Sequence, residues 1–235
     1  MSGWPQTAAD LVEVQRALGR AAAPRWRHPA GPLRVGACFV CFDRHPAGGV
    51  QAAEPERERG WAAAAVASGR RLLADATISK PVTASYLPAL LALREGPLLD
   101  AAVRALAVPP DVLIVNATGR DHPRRAGLAL HLGAVLGIPT VGVSNRPLSA
   151  EGTWPADDRG ATAPLLLDGE LVGYWLRTRP GAKPLAVHAA WRTTPEDAVT
   201  IVLAAVRRAR SPLPLRRARQ AARTARSAGR HRSTR

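Results

Sequence analysis

Long apolar runs are missing from this sequence of 235 residues, and acidic residues and cysteines are scarce. The most apolar run, around residues 132–143, is interrupted by glycine and proline and is too short to cross a bilayer. The segment after Met1 lacks the cationic start and long apolar stretch of a secretion signal. We therefore expect a cytoplasmic protein without a membrane span.

The two cysteines, Cys38 and Cys41, are spaced as C-x-x-C, a pattern that elsewhere marks redox or zinc sites. Here they lie in the stretch RVGACFVCF, whose β-branched and aromatic residues predict a buried strand. Side chains three residues apart on a strand point to opposite faces. We therefore predict two buried, separate thiols and neither a shared metal nor a disulfide.

Acidic residues number 18 against 33 Lys and Arg, which gives a formal net charge of +15. Eight of the arginines and no acid fall between residues 216 and 235. Such a run favours contact with nucleic acid but is equally consistent with solvated charge, and both interpretations stay open. Since 46% of the residues are apolar, we expect one folded domain over residues 1–210 and a flexible basic tail over 211–235.

Apolar periodicity predicts the elements of that domain. Helices are expected at 7–19, 90–107, 124–137 and 194–210, and strands at 33–42, 60–68, 71–80, 111–116, 139–144, 163–167 and 171–178. A Pro/Gly-rich loop, HPAGG, follows the first strand, and DGE predicts a hairpin turn between the last two. Three antiparallel strands followed by alternating helices and parallel strands predict an α/β fold, a ribonuclease H-like mixed sheet flanked by helices.

Four stretches, taken in order and spacing, resemble the endonuclease V family: YLPALLALREGP, PDVLIVNATGRDHPRRAGLALHLG, IPTVGVS and KPLAVHAAWRTTPEDAV. The resemblance covers most of residues 7–210. It implies a nuclease in which two aspartates and a glutamate hold Mg²⁺, while a histidine, a lysine and a second histidine assist at the phosphates. It also implies a tyrosine that wedges into the duplex, and attack of water on a phosphodiester 3′ to inosine in DNA or RNA.

Three of these positions are retained. Glu95 matches the metal-binding glutamate, His122 matches the histidine of the HPR motif, and Tyr86 matches the wedge. Without the surrounding motif, Glu95 would be interpreted as a solvated charge on a helix and Tyr86 as a packing residue. The motif favours the functional interpretation of both.

Four positions are substituted. Cys38 and Asn116 stand at the two metal aspartates, Asn145 at the lysine and Trp191 at the late histidine. A thiol is a soft ligand that suits Mg²⁺ poorly, and an amide oxygen lacks the charge of a carboxylate. We therefore expect no bound cofactor. If a metal site persists, Glu95 is its one family ligand, and Asp121 in the neighbouring loop is the candidate to assist it.

The leading hypothesis is a nucleic-acid-binding pseudoenzyme of this family, with DNA or RNA, including inosine-containing strands, as its partner. The expected contact residues are Tyr86, Leu87, Pro88, Gly119, Arg120, Arg124 and Arg125, with a displaced base held between the 86–88 and 119–122 loops. Two alternatives stay open: an active Mg²⁺- or Mn²⁺-dependent inosine-directed endonuclease with a rearranged site, and a protein-binding scaffold. The sequence indicates no oligomeric state.

Overall fold

A computed structural model describes residues 3–43 and 58–233. The predicted HPAGG loop lies outside these ranges. In chain order the elements are α1 Ala8–Arg20, β1 Arg34–Phe42, β2 Arg59–Ser68, β3 Arg71–Pro81, α2 Leu91–Arg104, β4 Val112–Val115, α3 Leu128–Leu136, β5 Thr140–Ser144, β6 Thr162–Leu167, β7 Glu170–Leu176, β8 Leu185–Ala189, α4 Pro195–Ala205 and α5 Leu213–Ser233.

The strands form an eight-stranded mixed sheet in the order β3-β2-β1-β4-β5-β8-β7-β6. The predicted antiparallel meander is confirmed as β1–β2–β3, and the predicted parallel strands β4 and β5 follow β1 in the sheet. Cys38 of β1 is in register with Val115 of β4. This pairing brings the carboxyl ends of β1, β4 and β5 to one edge, where sheets of this kind place their functional side chains.

Local chemistry sets several element boundaries. The Thr194 hydroxyl accepts a hydrogen bond from the Asp197 N–H, and the Asp197 carboxylate accepts one from the Thr194 N–H, a capping box that starts α4. Asp168 and Gly169 both adopt positive φ, 51° and 77°, as a tight hairpin turn between β6 and β7 requires. The predicted helix at 124–137 begins later, at Leu128, because residues 119–127 form a loop closed by the Gly127 N–H donating to the Gly119 carbonyl at 2.8 Å.

Helices cover both faces of the sheet. α1, α2 and α3 pack on the face that carries Cys38, whereas α4 and α5 pack on the face that carries Phe39 and Cys41. Strand alternation therefore separates the two thiols as predicted, and both are free and buried.

The structure differs from the expectation of a flexible tail after residue 211. α5 lies against β1 and β2. Ala218 and Ala222 are buried there beside Trp61 and Cys41, and Leu215 is buried in the cluster that contains Val35 of β1. These three residues recur at helical spacing, so their burial gives the arginine-rich helix an apolar stripe to dock with. Side chains beyond Gly229 are not described.

Within the part of the chain that the structure covers, no helix combines the length and the apolar character needed to span a bilayer.

Candidate functional site

Cys38 of β1 lies beneath α2, close to Glu95 on that helix. The Cys38 side chain is fully buried, and burial together with the nearby Glu95 carboxyl raises the pKa of its thiol. Burial likewise raises the pKa of Glu95 to about 8, and the neighbouring Arg94 offsets this only in part. Burial thus disfavours the charged form of both groups, which is the form that a hard cation would need.

Asn116, directly after β4, contacts a cation from α5. The Arg219 Nη2 donates a hydrogen bond to its Oδ1 at 3.2 Å. Asn145, directly after β5, is held in the same way, because the Arg210 Nη1 donates to its Oδ1 at 2.9 Å. Two of the substituted family positions thus carry amide oxygens that accept from guanidinium groups.

Trp191, the fourth substituted position, belongs to the scaffold. Its backbone N–H donates to the Thr140 Oγ1 at 3.1 Å and its carbonyl accepts from the Thr140 N–H at 3.0 Å. Its half-buried side chain packs against the core on the α3 side. Nothing in these contacts provides a proton-transfer group.

Asp121, the candidate substitute ligand, is fully buried and already engaged. Its carboxylate accepts hydrogen bonds from three consecutive backbone N–H groups, those of Leu148 at 2.6 Å, Ser149 at 2.8 Å and Ala150 at 2.7 Å. Three N–H donors satisfy most of the lone pairs of a carboxylate. Asp121 is therefore an anchor for the 148–150 loop and does not support Glu95.

The donor set at the family metal positions does not fit Mg²⁺. That ion needs near-octahedral oxygen ligation with one or two carboxylates, and here the family positions offer a buried thiol, an amide and a single carboxyl. Across residues 3–43 and 58–233 no group of three or more His, Cys, Asp or Glu side chains converges as a metal site.

His122 is buried, and its two ring nitrogens have fixed partners. The Arg124 N–H donates to Nδ1 at 3.1 Å, so the proton of the neutral ring sits on Nε2, which donates to the Ala89 carbonyl at 3.0 Å. Burial lowers the pKa of His122 and keeps it neutral. The residue therefore ties the loop after β4 to the loop that carries Tyr86.

The arginines expected to meet phosphates are instead engaged within the protein. Arg120 donates to the Gly19 and Ala21 carbonyls, Arg124 to Gln15 and Ala89, and Arg125 pairs with Asp168 and Glu170. Gly119 allows the close approach of this loop to β8, since a Cβ there would lie 2.1 Å from the Ala189 carbonyl oxygen. Counting charges in the sequence could not reveal these partners.

A small cavity opens between the two loops. It encloses about 180 Å³ and has a mostly apolar wall. Its lining comprises Gln15, Tyr86, Leu87, Ala89, Leu91, Ala92, Ala117, Thr118, His122, Leu128, Ser144 and Leu148. Tyr86 and Leu87, two of the predicted contact residues, are 48% and 42% exposed at its rim, whereas Pro88 does not line it.

Sequence reasoning missed two features of this region. Ser144 lines the cavity, and its Oγ lies 2.9 Å from the Nε2 of the buried His188, whose Nδ1 is 3.6 Å from Asp121. Arg219 approaches from the segment that was expected to be flexible, and Arg210 from the end of the predicted domain. The buried spacing of Leu215, Ala218 and Ala222 was the available signal for the second feature.

Comparison with known proteins agrees with this architecture. The model of the family described as Endonuclease V matches residues 45–220. The chain is 37% identical to endonuclease V of Streptomyces avermitilis over 220 residues, covering 92% of this chain and 91% of that protein. The crystal structure of the Streptomyces avermitilis protein superposes with a TM-score of 0.84 at 35% identity, covering 97% of each chain.

A more distant structure shares the fold. Endonuclease V of Ciona intestinalis, in complex with a DNA that contains an inosine followed by a ribo-adenosine, gives a TM-score of 0.69 at 19% identity, over 92% of this chain and 96% of that one. The family model spans most of the chain, and the Streptomyces relative is covered almost completely. The chain therefore belongs to the endonuclease V family.

Proposed function

We propose that this chain is a non-cleaving, nucleic-acid-binding member of the endonuclease V family that acts in the cytoplasm. The observation that carries the proposal is the hydrogen bond from Arg219 to Asn116, at a position where the family pattern has a metal-binding aspartate. A guanidinium group and a divalent cation repel each other, so an arginine held there disfavours the ion. The two free thiols fit a reducing compartment.

Loss of the metal would remove the hydrolytic step. The family chemistry depends on a cation held by several carboxylates, and here only Glu95 is an acid, in a buried environment that favours its neutral form. Catalytic groups act as a unit, so the absence of most members leaves little activity to measure. His122, held neutral by Ala89 and Arg124, gives no replacement base.

The features that nucleic-acid binding requires are, by contrast, retained. The cavity beside Tyr86 is smaller than the roughly 300–1,000 Å³ typical of sites for drug-sized ligands, and its size and apolar wall suit a single flat heterocycle. Ser144 and Thr118 add polar groups to that wall. The Ciona relative binds a DNA that contains inosine. We infer that a displaced base enters this cavity, as in other proteins that take a base out of the stack.

A nicking assay tests the loss of cleavage. The protein is incubated with inosine-containing single and double strands in Mg²⁺ or Mn²⁺, and binding to the same strands is measured by gel shift. The expected result is binding without a nick. A nick that disappears in Glu95→Ala would overturn the proposal.

A competition assay tests base recognition. The affinity for a strand with one inosine is compared with that for the same strand carrying adenosine. We expect a preference for inosine that Tyr86→Ala reduces, while Trp154→Ala, which removes an equally exposed aromatic group outside the cavity lining, leaves it unchanged. Equal affinity of the wild type for both strands would contradict this part of the proposal.

A further inference from the structure

Arg219 and Arg210 lie beside the ends of β4 and β5, and Arg223 lies next to Arg219. Arg219 and Arg210 donate to the amides of Asn116 and Asn145, and the guanidinium carbons of Arg219 and Arg223 lie 5.3 and 5.8 Å from the centre of the Phe39 ring. Burial lowers the pKa of Arg219, and repulsion from Arg223 and Arg210 lowers it further. Arg219 is therefore close enough to both other cations to be repelled by them.

Among the residues that the structure describes, no carboxylate compensates this repulsion. Over residues 3–43 and 58–233, no Asp or Glu oxygen lies within ion-pair distance, 4.0 Å, of Arg210, Arg219 or Arg223. The side chains that accept hydrogen bonds from Arg210 and Arg219 are neutral amides. Like charges gathered on a partly buried surface destabilise a protein unless an anion joins them, so the arrangement is suited to an external anion.

The face of α5 beside these arginines extends the positive surface. Arg216, Arg219, Gln220, Arg223, Thr224 and Ser227 line an open groove of about 480 Å³. Their spacing places them along one side of the helix, over a length of about 16 Å. That length exceeds the distance between successive phosphates of a strand, and the amide and hydroxyl groups between the arginines can donate to phosphate oxygens. The surface therefore suits a chain of phosphates better than one isolated ion.

We propose that Arg210, Arg219 and Arg223, continued by Arg216, bind the phosphodiester backbone of a nucleic-acid strand. At Asn145 the guanidinium of Arg210 supplies the positive charge that the family pattern assigns to a lysine. At Asn116 the guanidinium of Arg219 stands beside an amide where the family has a metal-binding carboxylate. Phosphate oxygens thus meet protein cations at the edge where the family places a metal. The inference takes nucleic acid as the ligand from the proposed function, and the remainder rests on the arginine geometry.

Fluorescence anisotropy over a KCl series tests this site. The probe is a labelled single-stranded oligodeoxynucleotide of mixed sequence without inosine, and the proteins are the wild type, Arg219→Ala, Arg223→Ala and Arg217→Ala. Arg217 is an exposed arginine on the same helix but outside the groove, which makes it a control for the loss of one charge. Thermal unfolding verifies that each variant folds, and Arg223 is itself exposed, so its replacement leaves the fold intact.

The slope of log K against log salt reports how many phosphates are neutralised, at about 0.7 per phosphate of a single strand. We expect the slope to fall by about 0.7 in Arg219→Ala and in Arg223→Ala, and to stay within error of the wild type in Arg217→Ala. Equal losses in all three variants, or none in the groove variants, would overturn the site while leaving the proposed function standing. A wild type that binds no strand would overturn both.

Inorganic phosphate added at constant ionic strength separates a strand from a lone anion. Because a strand makes several contacts along α5, we expect phosphate to leave the oligonucleotide bound. Displacement of the probe by phosphate, beyond the effect of matched KCl, would show a pocket for a single anion and would overturn the assignment to a strand.

Discussion

At the scale of single residues, Glu95 shows what burial does to the pKa of a carboxyl group. Its pKa of about 8 lies well above the ordinary value of 4.5, because desolvation penalises the charged form. Between these two pH values the folded protein keeps this proton while the unfolded chain releases it. The free energy of unfolding must therefore fall as pH rises through this window.

Replacing Glu95 with glutamine should remove that dependence. The variant has no proton to lose, so its free energy of unfolding should lack the decline between pH 4.5 and 8. Above pH 8 it should exceed the free energy of unfolding of the wild type by a few kcal/mol, because each unit of pKa shift corresponds to about 1.4 kcal/mol. Urea unfolding across this range measures the difference. Glu170→Gln, at a side chain that is 67% exposed, should follow the wild-type profile. Parallel curves for wild type and Glu95→Gln would refute the account of this carboxyl.

Asp121 gives a second prediction at this scale. In Asp121→Asn an amide group replaces one oxygen of a carboxylate that accepts from three backbone N–H groups, so at least one donor loses its partner. We expect a loss of about 3 kcal/mol in unfolding free energy and faster amide exchange at residues 148–150. The control is Asp168→Asn, at a side chain that is 82% exposed. Unchanged exchange at 148–150 would count against an anchoring role.

At the scale of elements, α5 shows how a basic segment becomes part of a fold. Leu215, Ala218 and Ala222 form a narrow apolar stripe that packs against β1 and β2, while arginines occupy the remaining surface of the helix. Arg226 also donates to the Phe42 carbonyl at 3.2 Å, which ties the helix to the end of β1. The position of the arginine groove therefore depends on the docking of this stripe.

Trypsin, which cleaves after arginine, provides a sensitive test of that docking. Ala222→Asp places a charge in the buried stripe, so we expect α5 to detach more often. A loss of about 1.4 kcal/mol or more in the free energy of docking corresponds to cleavage at least tenfold faster than in the wild type. Ala228→Asp introduces the same charge at an exposed position of α5 and should leave the cleavage rate near that of the wild type. Similar cleavage of both variants and the wild type would mean that the stripe does not hold the helix.

At the scale of the whole molecule, the sequence predicted the parts that local pattern encodes. Alternating and continuous apolar runs are local signals, and they identified the meander, the parallel strands and the Asp168–Gly169 turn. Strand alternation also separated Cys38 from Cys41 correctly. The family motifs located Tyr86 and the loop after β4 at the wall of one cavity.

Local sequence patterns could not predict contacts between segments that are far apart in the sequence. Asp121 is an anchor because its donors come from residues 148–150, and Arg120 is engaged because the carbonyls of Gly19 and Ala21 lie beside it. The docking of α5 rests on one leucine and two alanines within a run dominated by arginine, whose apolar signal is weak. The partner of Asn116, Arg219, followed only once that helix was placed.

Calorimetric titration of Mg²⁺ and Mn²⁺ into the wild-type protein near neutral pH tests the central claim most directly, because it examines the site without presuming a substrate. Because Cys38 and Asn116 replace two of the three family carboxylates and only Glu95 remains, the protein should give no saturable heat with either ion. Saturable binding of one ion per chain that disappears in Glu95→Gln would contradict the account.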